Sequence, residues 1–435
     1  MASPIQRSFR FPIAVALRET LAEGYSYSRF RRDLAAAFIV SLVALPLSMA
    51  LSIAVGLPPQ HGLYTAIVAG VISPLMGGAK TQVSGPTAAF VVILAPIVAQ
   101  HGLSGLIWCQ LLAGGLLLLF AALRLGRFIE HVPDAVTTGF TAGIAVILAV
   151  ISSSDFLGMG LDMSHGHFPA KLQLLLTHLG NINPYTALTG IATLLLIVWG
   201  QHITRFVPAT ILGVGLGIGL SIWFAHLGHP VETIASQFSY TRTDGGTGTG
   251  IPPYPPAFGL PALPSDLTPF LYPALVIALL AALESLLAAQ VADRMTHHKH
   301  HPNAELYGIG FGNIAAGMFS GIPATGAIAR TAALINNGGT TPFASSLHAV
   351  FILLYMLFLS GLIGHIPMAA LAAILIHTAW RMSHAPHFIH LLTKGGRHRA
   401  SVLLVTFGLT VAIDMVWGVT AGIALHYALR VFHKE

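Results

Sequence analysis

Val83-Ser84-Gly85-Pro86-Thr87-Ala88-Ala89 and Ser320-Gly321-Ile322-Pro323-Ala324-Thr325-Gly326-Ala327-Ile328-Ala329-Arg330 are two polar Gly/Pro turns in opposite halves of a 435-residue chain. Each opens an apolar run, 86–98 and 324–333, that is too short to cross a bilayer as a helix. A buried turn of this kind leaves backbone N–H groups unpaired at the start of a half-helix, and two such starts aimed at one midplane point make an anion site. Broken helices at matching places in two halves point to a transporter.

The composition around these turns agrees. Hydrophobic residues make up 54% of the chain, charged residues 8%, and the mean hydropathy is +0.76. No Asp, Glu, Lys or Arg occurs in 34–79 or in 81–123, so each stretch has room for several membrane spans. These values exclude a soluble domain and specify an all-α polytopic membrane protein. The net charge of +6 does not mark a nucleic-acid binder, because the basic residues are scattered over loops without interleaved aromatics. The single cysteine, Cys109, lies in an apolar run and has no partner for a disulfide. The arm 1–33 carries Arg7, Arg10, Arg18, Arg29, Arg31 and Arg32 ahead of the first apolar run and lacks the plan of a signal peptide.

Apolar runs read against turn signals give about fourteen segments, half of them in 34–224 and half in 271–432. Charge placement tests that count. With the N-terminus inside, all of the 21 Lys and Arg except Lys80, Lys171, Arg242 and Arg330 fall on the cytoplasmic side. Both termini are therefore expected in the cytoplasm. An odd number of spans per half inverts the second half relative to the first, which sets the half-helices, segments 3 and 10, head to head. The halves are joined by 225–270, rich in Gly, Thr and Pro and expected outside as a solvated connector. Its run Gly245-Gly246-Thr247-Gly248-Thr249-Gly250 lacks the Lys-Ser/Thr ending of a phosphate-binding loop.

Few residues in the apolar segments can carry chemistry. Glu284 lies mid-segment, where a carboxylate costs about 2.5 to 3.5 kcal/mol even on lenient scales, so it is expected to face a cavity and have a partner. Arg330, shortly after the second turn, adds a full positive charge to the partial charge of a helix N-terminus. Its structural use would be pairing with Glu284 or with backbone carbonyls. Pro46 falls in the first span, where it frees a carbonyl, and either opens the helix at the substrate or merely kinks it. Asp414, far from both turns in sequence, reads as a structural hydrogen-bonding acid. His297, His298, His300 and His301 crowd around Lys299, yet no Cys or carboxylate within that run completes a metal site. No metal and no cofactor are expected.

At these positions the chain resembles the SulP family of anion transporters. The likeness is carried by Leu57-Pro58-Pro59-Gln60-His61-Gly62-Leu63-Tyr64, by 83–89, by Glu284-Ser285-Leu286-Leu287, by Ala292-Asp293 ahead of Asn303-Ala304-Glu305-Leu306, and by 323–331. Within the family, 83–96, 126–143, 232–240 and the Glu284 region look most like bacterial transporters of four-carbon dicarboxylic acids. The resemblance implies seven plus seven inverted repeats, a gate domain, and a core domain holding the anion between the third and tenth segments. It implies uptake of succinate- or fumarate-like dianions with protons across a bacterial inner membrane. The chain departs from the family twice: Leu47 follows Pro46 where many relatives have Gln, and the sequence stops at Glu435 where relatives continue into a cytoplasmic STAS domain. No STAS domain is expected here; either the chain is naturally short or the sequence is truncated.

The expected site thus comprises Ser84, Gly85, Pro86, Thr87 and Ala88 from the first turn, Ala324, Thr325, Gly326, Ala327 and Arg330 from the second, and Pro46 from the first span. Glu284 is the coupling residue, since its protonation removes repulsion as the dianion enters. Movement is elevator-type, the core domain sliding against the gate domain. Three alternatives stay open at this point: sodium-coupled bicarbonate or sulfate uptake, an anion channel on the same scaffold, and a membrane hydrolase, which lacks His-Glu-x-x-His and Gly-x-Ser-x-Gly patterns. The oligomeric state, a homodimer included, is also open.

Overall fold

The computed structural model describes residues 12–129, 132–163, 166–203, 207–242, 244–413 and 415–432. Asp414 lies outside the described residues, as do Arg7, Arg10, Arg205 and Lys434 of the charge count.

The described residues are mostly helical. A short helix α1 (Val15–Ala22) precedes α2 (Tyr27–Ala54), whose first turn is capped by the Ser26 side chain accepting from the Arg29 N–H. Helix α3 (Pro59–Met76) begins with Pro at its first position, where no N–H is needed. Strand β1 (Ser84–Gly85) and a 3₁₀ turn (Ala88–Phe90) lead into α4 (Val91–Ala122). Gly102 breaks α4 with a backbone (φ 64°, ψ −168°) that only glycine adopts freely, which separates the expected third and fourth segments. Then come α5 (Gly126–Ile129), α6 (Asp134–Leu157), α7 (Phe168–Thr177), α8 (Pro184–Ile203), α9 (Ala209–His226) and α10 (Ile234–Gln237). A hairpin of β2 (Ser239–Thr241) and β3 (Thr247–Thr249) follows. The second half comprises α11 (Thr268–Thr296), α12 (Pro302–Met318), β4 (Thr325–Gly326), α13 (Ile328–Asn336), α14 (Pro342–Ile363), α15 (Met368–Met382), α16 (Ala385–Lys394), α17 (Gly396–Ala412) and α18 (Met415–Phe432). Among the described residues, six helices are long and apolar enough to cross a membrane: α2, α4, α6, α9, α11 and α14.

The helices sort into two packed groups, each drawing on both halves of the chain. One contains α2, α3 and α4 interleaved with α11, α12, α13 and α14; the other contains α6, α8 and α9 with α15, α17 and α18. The 3₁₀ turn at Ala88–Phe90 belongs to the first group and touches α6 and α15 of the second. It therefore lies at the boundary between them.

Three expectations change. Helix α2 runs unbroken through the buried Pro46, so the opening considered there is not formed. The missing N–H costs one hydrogen bond, and α3, α13, α14 and α15 packed along α2 hold the helix against it. The break near the C-terminal end falls at Ile413, a few residues before the expected boundary at 417/418. The connector 225–270 is not simply solvated: Ile234 and Ala235 donate to Ile366 O (3.0 Å) and Gly364 O (2.8 Å), and Met368 donates to Glu232 O (2.9 Å). Those groups flank the α14–α15 turn and need partners that no helix supplies. Ile234 and Ile251 are buried there, and the Gly/Thr run forms β3.

A polar clasp ties the two halves at the opposite end of the bundle. Ala14 N–H donates to Met76 O (2.8 Å), docking α1 on the end of α3, and His301 N–H donates to Gly78 O (3.1 Å). The buried Glu305 carboxylate accepts from the Gly78 and Ala79 N–H groups, both at 2.9 Å. Lys80 pairs with Glu23 and lies 3.6 Å from Glu19, while His301 Nε2 is 3.2 Å from Glu19 Oε1. The His301 hydrogen bond, helped by Lys80 and opposed by burial, holds the Glu19 carboxyl below its ordinary 4.5. A carboxyl lowered in the folded state contributes stability above its ordinary value and loses it as pH falls through the lowered one. The protection factors of the α1 amides against hydrogen exchange should therefore be high at neutral pH and fall on acidification below about 4.5. Glu19→Gln should lower those protection factors by about twofold to fivefold at neutral pH, the effect of a ~0.5–1 kcal/mol ion pair, and weaken their acid dependence.

Candidate anion site

The two Gly/Pro turns meet as an antiparallel ladder only two rungs long, Ser84 opposite Gly326 and Gly85 opposite Thr325. Ala327 N–H extends it by donating to Val83 O at 2.8 Å. Each strand is short because its chain turns at once into a helix. Thr87 is extended (φ −128°, ψ 157°) before the 3₁₀ turn, and Ala327 (φ −98°, ψ 107°) caps α13. Antiparallel strands that run straight into helices send those helices apart, so the unpaired N–H groups of both half-helices converge on the ladder.

Two consecutive residues of α11 hold the two turns. Thr87 Oγ1 donates to Glu284 Oε2 at 2.8 Å, linking α11 to the first turn. Ser285 Oγ accepts from the Gly326 N–H at 3.0 Å and lies 2.8 Å from Thr325 Oγ1, linking α11 to the second. Thr325 Oγ1 in turn donates to Ala281 O at 3.2 Å, which leaves Ser285 as the donor of the hydroxyl pair. The carboxylate and the hydroxyl that read the two halves are thus neighbours on one helix.

A second layer fixes the turns. The Asn313 side chain accepts from Ala324 N–H and donates to Ala324 O, both at 2.9 Å. Gln110 Nε2 donates to Ile322 O (3.2 Å), Ile322 N–H donates to Thr65 Oγ1 (2.6 Å), and His61 Nδ1 is 2.7 Å from Ser320 O. Val83 N–H donates to Thr331 Oγ1 at 3.0 Å. Thr65, Gln110, Ser285, Asn313 and Thr331 escape a reading of the sequence that looks for charges and Gly/Pro turns. Polar side chains inside apolar segments were the available signal.

Arg330 is 2% exposed and donates from Nη2 to Pro86 O, across the ladder from its own turn. Of its two structural pairings the structure uses the backbone carbonyl and not Glu284. Nε and Nη1 have no hydrogen-bond partner among the described residues. Gly85 makes room for the guanidinium, since a Cβ there would stand 2.6 Å from Nη1. A buried guanidinium with unspent donors and no carboxylate favours an anion nearby. Ser84, Gly85, Pro86, Thr87, Ala88, Ala324, Thr325, Gly326, Ala327, Arg330 and Glu284 are thus brought together. Pro46 stays inside a continuous α2.

The histidine run has carboxylate partners that the sequence did not place there. His300 Nδ1 lies 2.8 Å from Asp293 Oδ2, and His301 Nε2 reaches Glu19. These are separate pairs. Among the described residues no three His, Cys, Asp or Glu side chains are disposed to hold a metal ion.

The family model described as the sulfate permease family matches residues 30–406. YvdB of Bacillus subtilis, a candidate sulfate transporter by its name, is 39% identical over 406 residues, covering 93% of this chain and 74% of its own. The bicarbonate transporter BicA of Picosynechococcus is 27% identical over 422 residues, covering 93% and 71%. The solved transmembrane domain of a cyanobacterial BicA superposes with a TM-score of 0.77 at 26% identity, over 92% of this chain and 98% of that one. The structure of SLC26A9 reaches 0.81 at 16% identity over 97% and 68%, a likeness of fold.

Arg330→Met, which keeps the length and removes the charge, should weaken the affinity for sulfate or bicarbonate, whichever the protein binds, by about tenfold or more while leaving expression and monodispersity in detergent near wild type. Anion-dependent thermal stabilisation measures this. Unchanged affinity in the variant would mean that the guanidinium serves only Pro86.

Proposed function

The chain belongs to the sulfate permease family, whose members matched here are named as transporters rather than enzymes, and from that premise we propose a proton-coupled anion carrier of the elevator type. The observation that carries the reading is the Thr87–Glu284 hydrogen bond at the ladder. While Glu284 is ionised it occupies the Thr87 hydroxyl and repels an incoming anion. Protonation removes the charge, makes the carboxyl a donor in its own right, and frees Thr87 to donate to the anion. One proton then enters with each anion.

The boundary position of the 3₁₀ turn supports the elevator element. The group formed by α2–α4 and α11–α14 carries the whole ladder as a core domain. The group of α6, α8, α9, α15, α17 and α18 is the gate domain against which it slides. In this reading 34–224 and 271–432 act as inverted repeats, and both termini face the cytoplasm of a bacterial inner membrane. For the substrate, the names of the relatives favour a small oxyanion, sulfate or bicarbonate. The four-carbon dicarboxylates rest on the resemblance at 83–96, 126–143 and 232–240 and are the second reading.

Purified protein in liposomes, given labelled sulfate, bicarbonate and succinate under imposed proton or sodium gradients, tests substrate and coupling together. Uptake should be concentrative and rise as the external pH falls. Glu284→Gln mimics the protonated state: it should still exchange anion across the membrane at near wild-type rates and lose accumulation on a pH step. Accumulation by the Gln variant would move proton coupling elsewhere. Accumulation driven by sodium alone would favour sodium symport, and purely downhill flux would favour a channel.

A further inference from the structure

One buried side chain beside the ladder has no task in the site as described so far. Gln82 lies two residues before β1 and is 1% exposed, and neither atom of its carboxamide has a hydrogen-bond partner among the described residues. A carboxamide buried unpaired costs more than an ordinary hydrogen bond contributes, so a native structure keeps one only where something else employs it. Its position is well defined. The next residue, Val83, is held on both sides, its N–H by Thr331 Oγ1 and its carbonyl by Ala327 N–H. The amide itself lies against the backbone of Gly326, where a Cβ would stand 2.1 Å from Gln82 Nε2 and 3.1 Å from the Cα of Ser285. Gly326 is a rung of the ladder, and Ser285 is the residue next to Glu284. Ser84, two residues on, also has a buried Oγ without a partner among the described residues.

We propose that Gln82 is a further substrate-binding residue, whose carboxamide N–H donates to the anion held at the ladder. The proposal rests on the anion-carrier reading above and deepens it. Arg330 brings charge to the site from the Gly85 rung. Gln82 brings a neutral donor from the neighbouring Gly326 rung, so that an anion with several acceptor oxygens is held by two groups of different character. A neutral amide also needs no counter-charge when the site is empty, whereas a second buried cation would.

The test uses the full chain in liposomes and in detergent with inorganic sulfate and bicarbonate as probes. Gln82→Met keeps the length and removes the donor: KM for the transported anion should rise at least about tenfold, the value of a hydrogen bond to a charged group, with the maximal rate within about threefold of wild type. Gln82→Glu keeps the shape and adds a negative charge, and it should abolish anion-dependent thermal stabilisation. Gln82→Asn retains an amide one methylene short and should fall between wild type and Met. Wild-type KM in the Met variant, or wild-type stabilisation by anion in the Glu variant, overturns the proposal; the second readout decides if the Met variant does not fold. A wild-type protein that neither transports nor is stabilised by either anion overturns the carrier reading for these oxyanions, and the proposal with it. That result is distinct from an active wild type indifferent to position 82.

Discussion

Two breaks in apolar helices, paired with each other, are the constraint on which the remaining structure depends. In hydrocarbon no water satisfies a free N–H or C=O, and each unpaired group costs several kcal/mol, so irregular backbone at membrane depth survives only where protein supplies the partners. Ser84 and Gly85 supply them for Thr325 and Gly326, and the reverse. Neither break is stable alone. The pairing therefore makes the two halves of the chain obligate partners and explains why α2–α4 interleave with α11–α14 instead of forming separate bundles.

The ladder is too short to hold itself, and the side chains around it supply the rest of the binding. Thr65, Gln110, Asn313 and Thr331 bond to backbone groups on either side of the rungs, each in the place where a helix or a longer strand would have put another peptide group. Close approach of Arg330 to Gly85 and of Gln82 to Gly326 requires residues without a Cβ at both rungs. The glycines of the two turns are thus a consequence of what is packed against them as much as of the turns themselves. With that support behind the ladder, Thr87 and Glu284 are joined to each other rather than to the backbone of the turns.

Electrostatically the site is asymmetric. A buried guanidinium donating to Pro86 and a carboxylate accepting from Thr87 meet the first turn at adjacent residues, yet among the described residues no hydrogen bond joins the two. Had Arg330 paired with Glu284, the charges would have been spent within the protein and little would remain to attract an anion or respond to a proton. Arg330 is given a carbonyl and Glu284 a hydroxyl, and charges held at membrane depth without each other are the usual sign of function rather than stability.

Much of this was legible in the sequence, and the limits follow a physical line. Hydropathy, charge-free stretches and Gly/Pro turns are local properties, so the membrane class, the short third and tenth segments, the two turns and the mid-segment acid Glu284 are read directly from residues near one another in the chain. Partnership is not local. Thr87 and Glu284 are 197 residues apart, and nothing in either neighbourhood says that they meet. The same holds for Arg330 with Pro86 and for the carboxylates that meet the histidine run. Pro46 illustrates the opposite case, a local signal for a break that packing on several sides overrode. Sequence by itself determined which backbone groups would be left unpaired inside the membrane, because that depends on each segment's own helix and turn chemistry. Tertiary structure decided which groups pair with which, because burial in a medium without water rewards only complete hydrogen bonding, and that is reached by a specific packing of distant segments.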